Sequence, residues 1–230
     1  LNTQPASVGG INLGQLPVGS PPALGAAADD GGYERAARAL LEAERVVVKV
    51  GGGGRHCGDV LRDFLTLSDA VAVTSPLVSG VLPYVYPRNM AVGGSKGSLC
   101  GNYAMEQADM LVVIGSRAVC QADCSRTGYP RVEQVVNINA DIEAATHYGR
   151  TEALVGEAQA TLEKLNDALR ALGADERERA SPWLDECAEQ KRAWNAFKQE
   201  RYETPVLPDA VWGRSVLTQP AAIHVASTWA

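Results

Sequence analysis

The chain has 230 residues and a mass of 24.3 kDa, with 46% hydrophobic and 21% charged residues. This composition is ordinary for a soluble globular protein of one or two domains, and it excludes a collagen, a coiled coil or a disordered chain. The 27 acidic side chains outnumber the 21 basic ones, so the net charge of -6 gives no electrostatic reason to expect a nucleic-acid partner. The longest apolar stretches, 46–48 and 110–114, are far shorter than the roughly 20 residues that span a bilayer.

The two ends and the cysteines indicate where the protein works. The first thirty residues contain neither a basic segment nor a continuous apolar run, so we expect no signal peptide. The five cysteines are odd in number and scattered, which is typical of reduced thiols and favours a cytoplasmic protein. A helical pattern that begins near Gln219 has no stop signal before Ala230, and we therefore expect a piece of a longer polypeptide.

In chain order, the pattern predicts a linker and then alternating strands and helices. Residues 1–32 are rich in Gly, Pro, Ala and Ser and predict an extended linker. Apolar spacing next predicts helices over 33–44 and 60–67 and strands over 46–50 and 71–74. After a Pro-rich segment it predicts a helix over 99–108, strands over 110–114, 132–138 and 154–155, and a helix over 157–172.

The strands read as continuous apolar runs between helices, which is typical of a parallel sheet covered on both faces. The predicted fold class is therefore α/β over residues 33–172, a doubly wound parallel sheet of the Rossmann-like type with helices on both faces. Residues 173–181 form a charged break. A helix over 182–202 follows, and because its apolar residues are sparse we expect it on the outside of something larger.

Two glycine-rich segments follow predicted strands, and glycine lets backbone N–H groups approach a phosphate closely. The first glycine segment (residues 51–54) lacks the last glycine of the dinucleotide fingerprint G-x-G-x-x-G, because His56 and Cys57 stand there. The next strand ends in Thr74 and Ser75 rather than in an acid that would hold a ribose. An ordinary nicotinamide dehydrogenase is disfavoured, and a turn that serves only close helix packing is an equal alternative.

The second glycine segment (residues 92–98) contains Lys96, which would meet an anionic ligand or be a solvated lysine, and ends in Ser98 as a predicted N-cap. Arg117 follows the strand over 110–114, at the sheet edge where ligands of open α/β sheets bind. It is the best cationic candidate, and an ion pair with a neighbouring acid is its alternative. Cys120 and Cys124 lack a second Cys or His pair at zinc spacing, so we predict no metal site. No catalytic motif is present, and we predict no catalytic residue.

A series of segments in one order resembles the central domain of thiamine-diphosphate-dependent enzymes of the acetolactate synthase type. The segments are VVVKVGGG (46–53), VAVT (71–74), VGGSKG (92–97), NYA (102–104), ADMLVVIGSR (108–117) and VVNINAD (135–141). The stretch 183–221 is similar to the linker and opening of the pyrophosphate-binding domain in the subgroup of trihydroxycyclohexanedione hydrolase. The resemblance divides the chain into a linker (1–32), a central domain (33–172), a linker with a helix (173–215) and the start of the diphosphate-binding domain (216–230).

The resemblance implies that thiamine diphosphate and Mg²⁺ bind in other domains of a parent enzyme. The Gly-Asp-Gly metal motif of the family is absent, since Gly58-Asp59-Val60 contains the only Gly-Asp pair. This chain is then not catalytic alone and works with the remaining domains or subunits, in a homo-oligomer. The alternative is a free-standing nucleotide-binding module of the sirtuin or deoxyhypusine-synthase-like fold.

In the family, the central domain holds FAD, holds ADP or is empty. Carried over residue by residue, the flavin nucleotide would lie beside Gly52, Gly53, Gly93, Gly94, Lys96, Gly97, Ser116, Arg117, Asn139 and Asp141. The Phe-Asp-Asp-Arg that commonly follows Gly-Ala-Arg in flavin-dependent members is replaced here by Ala-Val-Cys-Gln (118–121), and Glu157 stands where the usual Gly-Asp places an acid. FAD, ADP and an empty site therefore stay open.

Overall fold

The structure is a computed structural model that describes residues 24–117, 119–125, 127–174 and 181–229. Residues 1–23 of the predicted N-terminal linker lie outside the described part. Within that part, none of the helices combines the length and the apolar character needed to cross a membrane.

The main sheet has six strands, all parallel. They are β1 (Val46–Val50), β2 (Val71–Thr74), β3 (Asn89–Val92), β4 (Met110–Ile114), β5 (Gln134–Asn139) and β6 (Thr151–Val155). Their order in the sheet is β3-β2-β1-β4-β5-β6. The direction of strand order reverses between β1 and β4, which pair in register from Val46 opposite Met110 to Val50 opposite Ile114. In open α/β sheets the point of reversal is where a ligand crevice forms at the carboxyl edge of the sheet.

Helices cover both faces of the sheet, so the predicted doubly wound α/β fold is confirmed. The helices are α1 (Asp30–Glu42), α2 (Gly58–Leu67), α3 (Leu99–Gln107), α4 (Cys120–Asp123), α5 (Ile142–Ala145), α6 (Ala158–Ala171) and α7 (Pro182–Glu203). One face carries α1, α2 and α6 and the other carries α3 and α7, whereas the short α4 and α5 lie in the loops after β4 and β5.

Each face has its own apolar core, and the alternation of side chains along β1 feeds both. Val46, Val48 and Val50 belong to the core under α1, α2 and α6, whereas Val47 belongs to the core under α3 and α7. Lys49 points to the same side as Val47, because successive side chains of a strand alternate, and it is only 3% exposed. A strand buried on both faces thus contains one buried cation.

Several predicted elements differ from the observed ones in extent. The strand predicted over 132–138 runs over Gln134–Asn139, and β6 begins at Thr151 rather than at Leu154, because its first residues are polar and half-buried at the sheet edge. Strand β3 is not predicted at all. It follows a Pro-rich segment, is only four residues long, and pairs with β2 in an irregular register. Helix α1 begins at Asp30, three residues before its predicted start.

Helix α7 is more buried at its start than its composition indicates. Trp183 and Cys187 lie in the core under α3, and the Trp183 Nε1–H donates to the Val46 carbonyl oxygen at 3.2 Å. The prediction of a helix on the outside of something larger does not include this burial of its first two turns, because apolar residues four apart make a narrow seam that a low apolar count hides.

A hairpin follows α7 that the sequence does not predict. It consists of the antiparallel strands β7 (Val206–Asp209) and β8 (Arg214–Leu217), so β8 spans the predicted boundary between 215 and 216. Helix α8 (Gln219–Trp229) begins where the sequence predicts it.

Candidate functional site

A cleft of about 820 Å³ opens at the carboxyl edge of the sheet, where the strand order reverses. Its lining comes from the loops that follow β1, β2, β3, β4, β5 and β6. This volume falls within the roughly 300–1,000 Å³ that is typical of small-molecule and cofactor sites. The position is the one where open α/β sheets bind their ligands.

Most of the predicted site residues meet in this cleft. Those that line it are Gly52, Gly53, Gly93, Lys96, Gly97, Ser116, Arg117, Asn139 and Asp141. Gly94 is the exception, because it is buried behind the wall with φ 127°, and a Cβ there would lie 2.3 Å from the Gln121 carbonyl oxygen. Nucleotide binding by these residues stays a prediction. The fold nevertheless brings the residues that line the cleft together on one surface.

The first glycine segment serves close packing of two loops. The Gly51 and Gly53 N–H groups donate to the carbonyl oxygens of Ile114 and Gly115 at 2.8 and 3.0 Å. A Cβ on Gly51 would lie 2.5 Å from the Gly115 carbonyl oxygen, which belongs to rigid backbone. Two of the N–H groups that a phosphate would need are thus engaged within the protein. Close packing against the loop after β4 accounts for Gly51 and Gly53, whereas a Cβ on Gly52 would have its nearest neighbour at 3.7 Å, in the Arg55 side chain.

The second glycine segment forms one wall of the cleft. A Cβ on Gly93 would lie 2.6 Å from the Met105 Sδ, and a Cβ on Gly97 would lie 2.7 Å from the Val92 carbonyl oxygen. The Ser95 N–H donates to the Gln121 carbonyl oxygen at 3.0 Å, which joins this wall to α4. Ser98 is the N-cap of α3, as predicted, since its Oγ accepts from the Gly101 N–H at 3.0 Å. The wall is held by α3 on one side and by α4 on the other.

Three cationic side chains contribute to the cleft. Arg117 and Lys96 are exposed there, and Arg55, which sequence reasoning missed, donates from its Nε to the Gly52 carbonyl oxygen at 2.9 Å. Within the described ranges, neither Arg117 nor Lys96 forms an ion pair, so the structure gives the ion-pair alternative for Arg117 no partner. Arg55 follows the first glycine segment directly, and that position is the signal that would have found it.

The opposite side of the cleft is acidic, and its helix N-termini are capped by the protein itself. The two carboxylate oxygens of Glu157 accept from the N–H groups of Gln159 and Ala160 at 3.0 and 2.8 Å, at the start of α6. Asp141 accepts from the Glu143 N–H at 2.9 Å, at the start of α5. These carboxylates occupy the N–H groups that an anion would otherwise use at a helix N-terminus. This side therefore suits hydroxyl and amine donors of a ligand rather than phosphate.

Exposed apolar side chains flank the mouth of the cleft. Leu77, which follows β2, is 93% exposed, and Val119, which follows β4, is 51% exposed. Sequence reasoning missed Leu77 because it lies in the Pro-rich segment, where no periodicity marks it. Apolar groups that line a polar cleft typically contact a ring or another flat apolar part of a ligand.

The described residues show neither a cluster of metal ligands nor an activated thiol at Cys57. No group of three or more His, Cys, Asp or Glu side chains there is arranged to hold a metal. Asp59, from the single Gly-Asp pair, lies in the first turn of α2 and forms an ion pair with Arg62. Burial raises the pKa of the Cys57 thiol to about 11, which leaves it protonated and a poor nucleophile.

An open parallel sheet with a cleft at the point where its strand order reverses defines the class as doubly wound α/β domains. Residues 33–165 match the protein family described as thiamine pyrophosphate enzyme, central domain. The match covers more than half of the chain, and the chain belongs to this family, as its sequence predicts.

Three relatives illustrate the range of the family. The chain is 25% identical over 199 residues to acetolactate synthase 1, chloroplastic, of Oryza sativa subsp. japonica, which is 83% of this chain and 31% of the relative. It is 28% identical over 181 residues to 3D-(3,5/4)-trihydroxycyclohexane-1,2-dione hydrolase of Listeria monocytogenes, 76% of this chain and 28% of the relative. It is 27% identical over 163 residues to the probable acetolactate synthase large subunit of Methanocaldococcus jannaschii, 69% of this chain and 27% of the relative. The chain spans less than a third of the length of these curated relatives.

Proposed function

We propose that this chain is the central domain of a larger thiamine-diphosphate-dependent enzyme of the acetolactate synthase type, as a fragment or as a subunit. The family match and the 31% coverage of the rice relative support this proposal. In it, residues 33–172 are the domain itself, 173–215 are a linker with a helix, and 216–230 begin the diphosphate-binding domain. Thiamine diphosphate and Mg²⁺ bind in other domains, and this chain contributes scaffold and contacts between subunits.

Within that role, the cleft binds the adenosine diphosphate moiety that ADP and FAD share. The observation that carries this proposal is the set of three cations, Arg55, Lys96 and Arg117, around one cleft of about 820 Å³ at the reversal point of the sheet. Cationic side chains hold phosphate oxygens by charge-assisted hydrogen bonds. Because Gly51 and Gly53 use their N–H groups internally, side chains rather than a glycine cradle would provide the anion contacts.

The rest of the cleft suits the uncharged parts of the same moiety. Asp141 and Glu157 present carboxylate oxygens that can accept from ribose hydroxyls. Leu77 and Val119 offer apolar surface to a ring. A ligand with phosphate at one end and hydroxyls at the other therefore matches the two sides of the cleft.

Calorimetric titration of the purified chain with ADP, FAD, NAD and coenzyme A tests the proposal. We expect ADP to bind, and FAD to bind only if the flavin half also fits between the apolar side chains at the mouth. Binding of thiamine diphosphate with Mg²⁺ to this chain alone would contradict the proposed division of labour. An absorption spectrum of the purified parent enzyme distinguishes the two nucleotides, because only FAD adds a flavin band.

A further inference from the structure

The second core contains a buried cation directly behind the cleft wall. Lys49 leaves the middle of β1 on the side of α3, and its Nζ donates to the Gly93 carbonyl oxygen at 2.7 Å and approaches the Thr74 carbonyl oxygen at 3.5 Å. Gly93 lines the cleft. The ammonium of Lys49 thus lies one peptide group behind the surface that a ligand would contact.

The acidic groups near Lys49 favour its charged form without contacting it directly. Among the residues that the structure describes, no carboxylate forms an ion pair with Lys49. The titratable groups on the elements packed around Lys49 and its neighbour Asp123 are Asp123, Cys124, Glu106, Tyr129, His147 and Tyr148. Asp123 is buried and accepts a hydrogen bond from the Tyr148 hydroxyl at 3.1 Å, and its charge favours the charged form of Lys49.

The backbone that Lys49 holds is strained on both sides. Ala91, two residues before Gly93, has φ 63°, and Cys124, at the end of the α4 loop, has φ 53°. Such conformations of non-glycine residues persist only where the surrounding structure holds them. The Lys49 hydrogen bond to Gly93 and the Ser95 hydrogen bond to Gln121 are two of the contacts that hold this wall.

We propose that Lys49 is a positioning residue that couples protonation to the binding of an anionic ligand in the cleft. In a low-dielectric interior, a charge one peptide layer away attracts a ligand phosphate strongly. By reciprocity, a bound phosphate favours the charged form of Lys49, so the ligand and the proton bind cooperatively. This inference rests on the proposed anion-binding function and adds a residue that does not itself touch the ligand.

Lys49 changes its protonation state in a pH range where this coupling can be measured. Burial lowers the pKa of Lys49 from its ordinary value of 10.5 to about 8, although nearby Cys124 and Asp123 favour the charged form. At pH 8.5 the free protein would therefore carry a partly deprotonated Lys49. Burial also raises the pKa of the Cys124 thiol above its ordinary value.

Calorimetry of ADP binding at pH 8.5, in buffers of different ionisation enthalpy, measures the protons taken up. We expect the wild-type chain to take up about half a proton when ADP binds and none when the uncharged adenosine binds. The variant Lys49→Met keeps an unbranched apolar stem, and Lys49→Gln keeps an N–H donor for Gly93. Both should lose the proton uptake and bind ADP roughly tenfold more weakly at pH 7. The control Lys164→Met, which removes an exposed lysine of α6, should behave as wild type.

The results of these titrations distinguish the proposed role of Lys49 from the proposed nucleotide binding in the cleft. ADP binding without proton uptake in the wild-type chain, or uptake that persists in Lys49→Gln, would overturn the role of Lys49 and leave the nucleotide site intact. Absence of binding by ADP and by FAD would overturn both. Circular dichroism checks that each variant is folded, and the wild-type measurement decides the question even if neither Lys49 variant folds.

Discussion

The two sides of the cleft use the same parallel fold in opposite ways. On the side of β1 and β4, Arg55 and Arg117 present cationic groups to the cleft. On the side of β5 and β6, Asp141 and Glu157 direct carboxylates into the N-termini of α5 and α6. A helix N-terminus at the carboxyl edge of a sheet is commonly an anion site, but an acidic cap converts it into an acidic surface. The identity of the cap residue therefore decides which side can receive a phosphate.

The cationic side of the cleft is built on the close contact between the loops after β1 and β4. Breaking that contact should have the largest effect on the free energy of unfolding. We expect Gly51→Val to destabilise the chain by about 3 kcal/mol or more, because its Cβ would meet Gly115 and Ser116 backbone atoms at 2.5 Å. Chemical denaturation of the variant measures this cost. The matched control Gly52→Ala, which has open space, should change the free energy of unfolding by less than about 0.5 kcal/mol. Equal costs for both would show that the loops can move apart.

The buried cation behind the cationic side should reveal itself in the pH dependence of stability. Between about pH 8 and pH 10.5 the unfolded chain keeps the Lys49 proton that the folded chain has lost. Stability of the wild type should therefore rise with pH across this window relative to Lys49→Met, by on the order of 3 kcal/mol in all. Denaturation of both proteins at pH 7, 8.5 and 10 measures the difference. A constant difference would mean that Lys49 has an ordinary pKa and is solvated.

The cationic side should account for ligand affinity. We expect Arg117→Ala to weaken ADP binding by about 1.5 to 3 kcal/mol, the scale of a charge-assisted hydrogen bond to phosphate. Isothermal titration at fixed ionic strength provides the measurement. Arg38→Ala, which removes an exposed arginine of α1, serves as the control for net charge. Unchanged ADP affinity in Arg117→Ala would reassign Arg117 to a structural role.

The acidic side should affect stability more than ligand affinity. Glu157→Ala removes the cap of α6 and should cost about 1 kcal/mol in the free energy of unfolding. The same change removes a proposed acceptor of ribose hydroxyls, which weakens ADP binding, but also removes a negative charge from the cleft, which favours it. The ADP affinity should therefore change much less than in Arg117→Ala. Thermal unfolding and titration of one preparation give both values. A loss of ADP affinity comparable to that of Arg117→Ala would make Glu157 a ligand contact of the same rank.

The sequence predicts the centre of the sheet better than its edges. Strands β1, β2 and β4 are buried on both faces and read as continuous apolar runs, so pattern alone locates them. Edge strands have one exposed side and need fewer apolar residues. The polar Asn89 of β3 and the polar Thr151 of β6 therefore hide where these strands begin.

The sequence predicts those site residues whose place depends only on which strand they follow. It does not predict the features that depend on contacts between residues distant in the sequence. Arg117 and Lys96 follow strands and loops that any parallel sheet brings to its carboxyl edge. The packing role of Gly51 depends on the loop after β4, more than sixty residues later, and no local pattern reports that contact. In the sequence, Lys49 is a single charged residue in an apolar strand. Only the structure shows that its ammonium donates a hydrogen bond to the Gly93 carbonyl oxygen.

We propose above all that the β1 and β4 side of the cleft binds the diphosphate group of a nucleotide. Paired titrations of the wild-type chain with ADP and with adenosine test it most directly, since the two ligands differ only in the diphosphate. We predict that ADP binds at least tenfold more tightly than adenosine and that Arg117→Ala removes most of this difference. Equal affinities for the two ligands, or no binding of ADP, would contradict the account.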